Sequence, residues 1–124
     1  MRKILLIEDE AQHMLLAKIR LETKGYEICA ARTGADGIKA AAAHMPDIIL
    51  LDLLLPDMEP GSVIKGLRAH PSLRRTPIIA FTALDAAEIQ RRHLGGEVAG
   101  FVQKPYETQE LLEKIEALLS TAPE

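Results

Sequence analysis

Asp52 stands inside an apolar run, LLDLLLP, from Leu50 to Pro56. Burying a lone carboxylate is expensive, so it must be paired, bound to a metal or engaged in chemistry. Three other polar groups end short apolar runs. Glu8-Asp9-Glu10 follows Ile4 to Ile7, Thr82 follows Ile78 to Phe81, and Lys104-Pro105 follows the weaker run Val98 to Val102. Gathered at one place, the carboxylates would repel unless a cation neutralised them or they took up protons. Oxygen ligands with several waters suit Mg²⁺. Beside a divalent ion, Asp52 can stay ionised and act as a nucleophile toward phosphorus. Thr82 and Lys104 would then hold the transferred oxygens.

The elements needed to gather these groups are legible in the pattern. Short continuous apolar runs suit parallel strands covered on both faces, and Tyr26 to Ala31 is a weaker strand candidate. Between the runs lie segments of helical spacing. Met14 to Leu21 precedes Gly25, a helix-ending glycine. Asp36 to His44 is alanine-rich and stops before Pro46, and Ser62 to Ala69 stops before Pro71. Asp85 caps a helix expected to reach Leu94 and end at Gly95-Gly96. Thr108 opens the last helix, with Leu111, Leu112, Ile115, Leu118 and Leu119 on one stripe. Five β-α units predict an α/β fold with a parallel sheet between helices. In such sheets ligands bind beyond the carboxyl ends of the strands, where the polar groups sit.

Composition narrows the function classes. The 124 residues fit one domain, 1–124, with a frayed tail from Ser120. A net charge of −3 and 3% aromatics argue against nucleic-acid binding. The single cysteine, Cys29, fits a reducing compartment and reads as a small buried hydrophobe. No apolar run is long enough for a signal peptide or a membrane span, so no membrane insertion and a cytoplasmic location are expected.

Taken together and in order, these motifs resemble the receiver domain of two-component response regulators, from Lys3 to about Leu119. The pair Glu8-Asp9, Asp52 with Pro56 four residues on, Thr82-Ala83 and Lys104-Pro105 carry the resemblance. It implies a flavodoxin-like, doubly wound sheet of five strands in the order 2-1-3-4-5, with five helices. It implies Asp52 as phosphoacceptor, and Mg²⁺ (or Mn²⁺) bound by Asp9, Asp52 and the Leu54 carbonyl, with Glu8 acting through water. Thr82, Lys104 and the Ala83 N–H would contact the phosphoryl group. Thr82 and Phe101 would switch a surface formed by the fourth and fifth helices and the fifth strand. Partners would be a sensor histidine kinase or histidine phosphotransfer protein and a downstream protein target. No independent substrate turnover is expected beyond the domain's own phosphotransfer and slow dephosphorylation. With no effector segment after Leu119, a stand-alone receiver is expected, although an excised domain fits equally.

Simpler readings stand beside these. Glu8-Asp9-Glu10 suits capping of the first helix. Thr82 suits a strand, Lys104 a solvated surface and Phe101 a core. His13, His44, His70 and His93 show no metal spacing and read as surface or helix-packing residues. Arg91-Arg92 reads as a solvated helix face. Some residues depart from the family pattern. Pro60 stands where glycine is usual, suggesting an unusual loop path eased by Gly61. Leu54 and Leu84 flank the site where many relatives carry polar groups, and GGEVAG at Gly95 to Gly100 is also unusual. A phosphatase of the haloacid dehalogenase type would need an acid where Leu54 stands. A flavin module would need a phosphate cradle where Glu8-Asp9-Glu10 would repel phosphate. The remaining alternative is a receiver-like protein-binding module that is never phosphorylated.

Overall fold

The computed structural model describes residues 2–92 and 97–121. Five strands, β1 (Lys3–Ile7), β2 (Glu27–Ala31), β3 (Ile48–Leu51), β4 (Ile78–Thr82) and β5 (Gly100–Gln103), alternate with α1 (Ala11–Thr23), α2 (Gly34–His44), α3 (Pro60–Ala69), α4 (Ala86–Arg91) and α5 (Thr108–Thr121). All pairings are parallel, in the order β2-β1-β3-β4-β5. This is the expected α/β sheet. The expected end of the fourth helix at Leu94 to Gly96, His93 and residues 122–124 of the expected tail lie outside the described residues, whereas Ser120 and Thr121, expected to fray, continue α5.

The sheet is held from both sides because its central strands carry unbroken apolar runs. Ile4 to Ile7, Ile48 to Leu51 and Ile78 to Phe81 are all fully buried. Alternate side chains point to opposite faces. Leu5, Ile7, Ile49, Leu51, Ile78 and Ala80 meet α2, α3 and α4 through Ala41, Val63, Ile64, Leu67 and Ile89. Ile4, Leu6, Ile48, Leu50, Ile79 and Phe81 meet α1 and α5 through Ala17, Leu21, Leu111, Leu112, Ile115 and Leu119. Each such leucine or isoleucine stabilises the fold by about 1.5–3 kcal/mol. Half-buried Cys29 packs against the first cluster, and burial pushes its thiol up.

Helix boundaries follow local chemistry. Glu10 caps α1 by accepting from the Gln12 N–H at 3.2 Å. The helix ends in a Schellman motif. The Tyr26 N–H reaches the Leu21 carbonyl, the Gly25 N–H reaches that of Glu22, and Gly25 adopts φ 94°. Thr33 caps α2 and Asp85 caps α4 through their side chains. Pro60 requires no unusual loop path. It occupies the first turn of α3, buried, where its missing N–H would have had no helical partner. Gly61 lies within the helix, so its extra freedom goes unused.

The segment after Asp52 is anchored sideways. The Asp57 carboxylate accepts from the Gly34 and Ala35 N–H groups, at 2.8 and 3.0 Å, so one loop caps a helix distant in sequence. Those two bonds hold the Asp57 carboxyl below the usual carboxylate range. Gly34 also admits the loop, since a Cβ there would lie 2.9 Å from Met58 Sδ and from Val63 Cγ2. Asp57→Ala should lower the melting temperature at neutral pH. A depressed carboxylate stabilises only while ionised. The gap between wild type and variant should be full above about pH 4 and close as pH falls through the lowered Asp57 value. Thermal unfolding across acidic pH checks this, and a pH-independent gap would contradict it.

Candidate functional site

Strand register sets the site. Ile7 pairs with Leu51, which puts Glu8 level with Asp52 just past the ends of β1 and β3. Thr82 ends β4 opposite Gln103, and Lys104 follows on the next strand. The Lys104 N–H donates to the Thr82 carbonyl at 2.8 Å, fixing the lysine against the β4 end, and the Lys104-Pro105 peptide is cis. The sheet thus delivers Glu8, Asp52, Thr82 and Lys104 to one rim, as the sequence suggests.

All but the lysine are buried. Glu8 and Thr82 are 0% exposed and Asp52 is 6% exposed. Asp52 Oδ1 accepts from the Leu54 N–H at 2.9 Å, and Oδ2 accepts from Lys104 Nζ at 3.2 Å. Glu8 Oε1 accepts from the same ammonium, and its Oε2 accepts from the Glu10 N–H at 3.0 Å. Lys104 crosses the Phe81 ring with Nζ 4.8 Å from its centroid. Burial pushes the Glu8 carboxyl up. The Lys104 ammonium and the Glu10 N–H pull it down, and neighbouring Asp52 adds to the rise. The Thr82 hydroxyl accepts from the Leu84 N–H at 3.3 Å.

Asp9 differs from its neighbours in sequence. Its side chain lies in solvent, and its carbonyl accepts from Arg32. Among the described residues no group of three or more His, Cys, Asp or Glu side chains forms a ready-made metal cage. The donor set still fits a hard divalent cation. Two buried carboxylates share one ammonium and leave negative charge uncompensated at the rim, next to a third, solvent-exposed acid and a backbone carbonyl. Ala83 and Leu54 are exposed, Leu84 is half-buried, and Phe101 is half-buried against the cluster that packs on α2, α3 and α4.

The acidic triplet divides its labour. Glu10 does the capping that the simpler reading allows for the whole triplet, while Glu8 turns inward. His13 corrects the sequence reading. It was expected to serve only surface or helix packing, but its Nδ1 lies 3.2 Å from Lys104 Nζ and 3.6 Å from Glu8 Oε1. The signal was its place in the first turn of a helix that leaves the rim directly after Glu8. Asp57 was also missed, because capping across a loop leaves no local pattern. His70 does cap the short turn at Pro71–Leu73, accepting from Ser72. Arg91 and Arg92 pair with Glu88 on an exposed face, as expected.

A parallel sheet in this order, with an aspartate and a lysine facing each other at its carboxyl rim, defines a receiver-type protein. A family model described as the response regulator receiver domain matches residues 4–116, and the chain belongs to that family. It is a receiver domain of two-component signalling, a class of signalling proteins rather than substrate-turning enzymes. The transcriptional regulatory protein KdpE of Mycobacterium tuberculosis is 35% identical over 117 residues, 94% of this chain and 50% of KdpE. The chain therefore spans about half the length of that relative. The polar-differentiation response regulator DivK of Brucella ovis is 31% identical over 121 residues, 98% of each chain. Among solved structures, the receiver domain of the sensor histidine kinase PA1611 from Pseudomonas aeruginosa superposes with a TM-score of 0.89 at 26% identity. The match covers 97% of this chain and 98% of that one, which holds a magnesium ion in its active-site cleft. No described helix is long and apolar enough to cross a membrane.

Lys104 is the only cation contacting the buried Glu8 carboxylate among the contacts just described, and removing it leaves that charge uncompensated. Lys104→Met should destabilise the fold by about 3 kcal/mol at pH 8. A carboxyl whose folded value is raised contributes stability that is full at acid pH and lost as pH rises through that value. The penalty should therefore be smaller at pH 5 than at pH 8, because lower pH favours the protonated Glu8 carboxyl. Denaturant unfolding at the two pH values checks this, and equal losses at both would contradict it.

Proposed function

We propose that this chain is a phosphorylation switch whose acceptor is Asp52. One observation carries the reading: a nearly buried aspartate at the end of β3 has one oxygen held by the Leu54 N–H and the other facing the Lys104 ammonium. That fixes the carboxylate's orientation and gives incoming phosphoryl oxygens a cation. The donor is the phosphohistidine of a sensor histidine kinase or a phosphotransfer protein. An Asp52 oxygen attacks phosphorus, the P–N bond breaks, and its electron pair stays on the imidazole nitrogen. The product is an acyl phosphate on Asp52.

Asp9, Asp52 and the Leu54 carbonyl would hold Mg²⁺, with Glu8 reaching it through water. The ion would supply positive charge to an acidic rim and to the transferred oxygens. Lys104, the Thr82 hydroxyl and the Ala83 N–H bind the remaining oxygens. The magnesium in the PA1611 receiver cleft supports the metal assignment. Signalling follows from repacking. Thr82 leaves its bond to the Leu84 N–H for the phosphoryl group, and Phe101 follows into the space. The surface of α4, β5 and α5 then changes for a downstream protein target.

Treatment with phosphoramidate and Mg²⁺, followed by intact-mass measurement, tests the reading. Wild type should gain one phosphoryl mass, while Asp52→Asn and Asp9→Ala should gain none. An unmodified wild type would favour a receiver-like module that only binds partners.

The flanking leucines set the lifetime. Hydrolysis needs a water placed in line behind phosphorus, and neither Leu54, 45% exposed, nor half-buried Leu84 can hold one by a hydrogen bond. Each tenfold in rate corresponds to about 1.4 kcal/mol, about one positioned hydrogen bond. Leu54→Asn combined with Leu84→Glu should speed loss of the phosphoryl group by about tenfold with little change in Mg²⁺ affinity. Decay of the phosphorylated proteins, followed by mass, decides it; equal decay would remove the shielding role.

A further inference from the structure

The Lys104 ammonium has three protons, and three acceptors surround it: Glu8 Oε1, Asp52 Oδ2 at 3.2 Å and His13 Nδ1 at 3.2 Å. An ammonium only donates, so His13 Nδ1 accepts and the ring proton sits on Nε2. The three acceptors are not equivalent. Glu8 is fully buried and Asp52 nearly so, so neither readily exchanges the lysine for bulk water. The His13 side chain is 53% exposed, so its nitrogen can exchange the lysine for water at little penalty. A phosphoryl group on Asp52 draws Lys104 toward phosphorus: the Asp52 contact passes to that group, buried Glu8 keeps its bond, and the His13 contact can be surrendered to water as the ammonium moves.

We propose that His13 is a positioning residue that holds the third Lys104 proton in the resting state and releases it as the ammonium moves toward the phosphoryl group. This rests on Asp52 being the phosphoacceptor. An interaction made only by the resting state opposes the occupied state by its own strength. His13 therefore keeps the lysine directed to the mouth of the site while biasing the domain modestly toward its resting form. The neighbouring groove, about 240 Å³ between α1 and Pro105-Tyr106, is lined by His13, Leu16 and Arg20, so the imidazole borders both site and groove.

The test uses beryllofluoride, a phosphoryl mimic, with Mg²⁺. Imidazole ¹⁵N spectra should show His13 Nδ1 losing its hydrogen-bonded shift when beryllofluoride binds, while His44 and His70 stay unchanged. His13→Leu should bind beryllofluoride about fivefold more tightly, the value of one ordinary hydrogen bond. His13→Asn, which keeps an acceptor near the Nδ1 position, should return affinity to wild type. Three results would overturn the proposal: an unchanged His13 signal when the Leu54 amide reports binding, a full change with Mg²⁺ alone, or unaltered affinity in His13→Leu. Failure of the Leu54 amide to respond at all would instead count against the phosphoacceptor reading and take this proposal with it.

Discussion

A single ammonium shared by two carboxylates at the sheet's carboxyl rim is the constraint on which the site depends. Lys104 lies between Glu8 and Asp52, and both acids are almost fully removed from water. At an effective dielectric constant near 20, opposite charges about 4 Å apart attract by about 4 kcal/mol. Desolvation of both partners cancels much of that. The triad contributes little to net stability and a great deal to definition. It fixes where the Asp52 carboxylate stands, leaves negative charge over, and makes the rim receptive to a further cation.

The rest of the fold exists to bring those three groups together from distant parts of the chain. Register does most of it. Because β1 and β3 are paired residue for residue, the first polar position after each strand lands at the same height. The Phe81 ring beneath Lys104 gives the aliphatic stem an apolar floor and the ammonium a π face. Helices on both faces then keep water from the strands, so charge interactions at the rim are weakly screened.

The fold was readable because its strands are apolar at consecutive positions and its helices carry caps of ordinary chemistry. Asp52 was readable for the opposite reason, as a charge that its surroundings could not otherwise accommodate. What escaped the sequence was geometry across loops. The one local sign for His13 is its place in the turn after Glu8, and its meaning comes from the lysine 91 residues later. Asp57 likewise looks like any turn aspartate until α2 is placed beside it. Pro60 was misjudged because it was taken as part of a loop, whereas α3 begins at that residue, two residues earlier than the apolar spacing suggested. Asp9 shows a further limit. Its resemblance-based metal role requires a side chain that is here in solvent, so its part depends on what binds.

The bridge from Asp57 to the first turn of α2 bears on how this chain can vary among descendants. A side chain at Gly34 would run into Met58 and Val63, and the exposed Asp57 ties the Gly34 N–H to the loop. Positions 34, 57, 58 and 63 can therefore drift only as a set, although none of them touches phosphorus. A lineage that enlarges residue 34 must shrink residues 58 and 63 or let the segment behind Asp52 move outward. The shape of the rim is thereby open to selection from a helix on the flank of the sheet, without any change to the acids or the lysine.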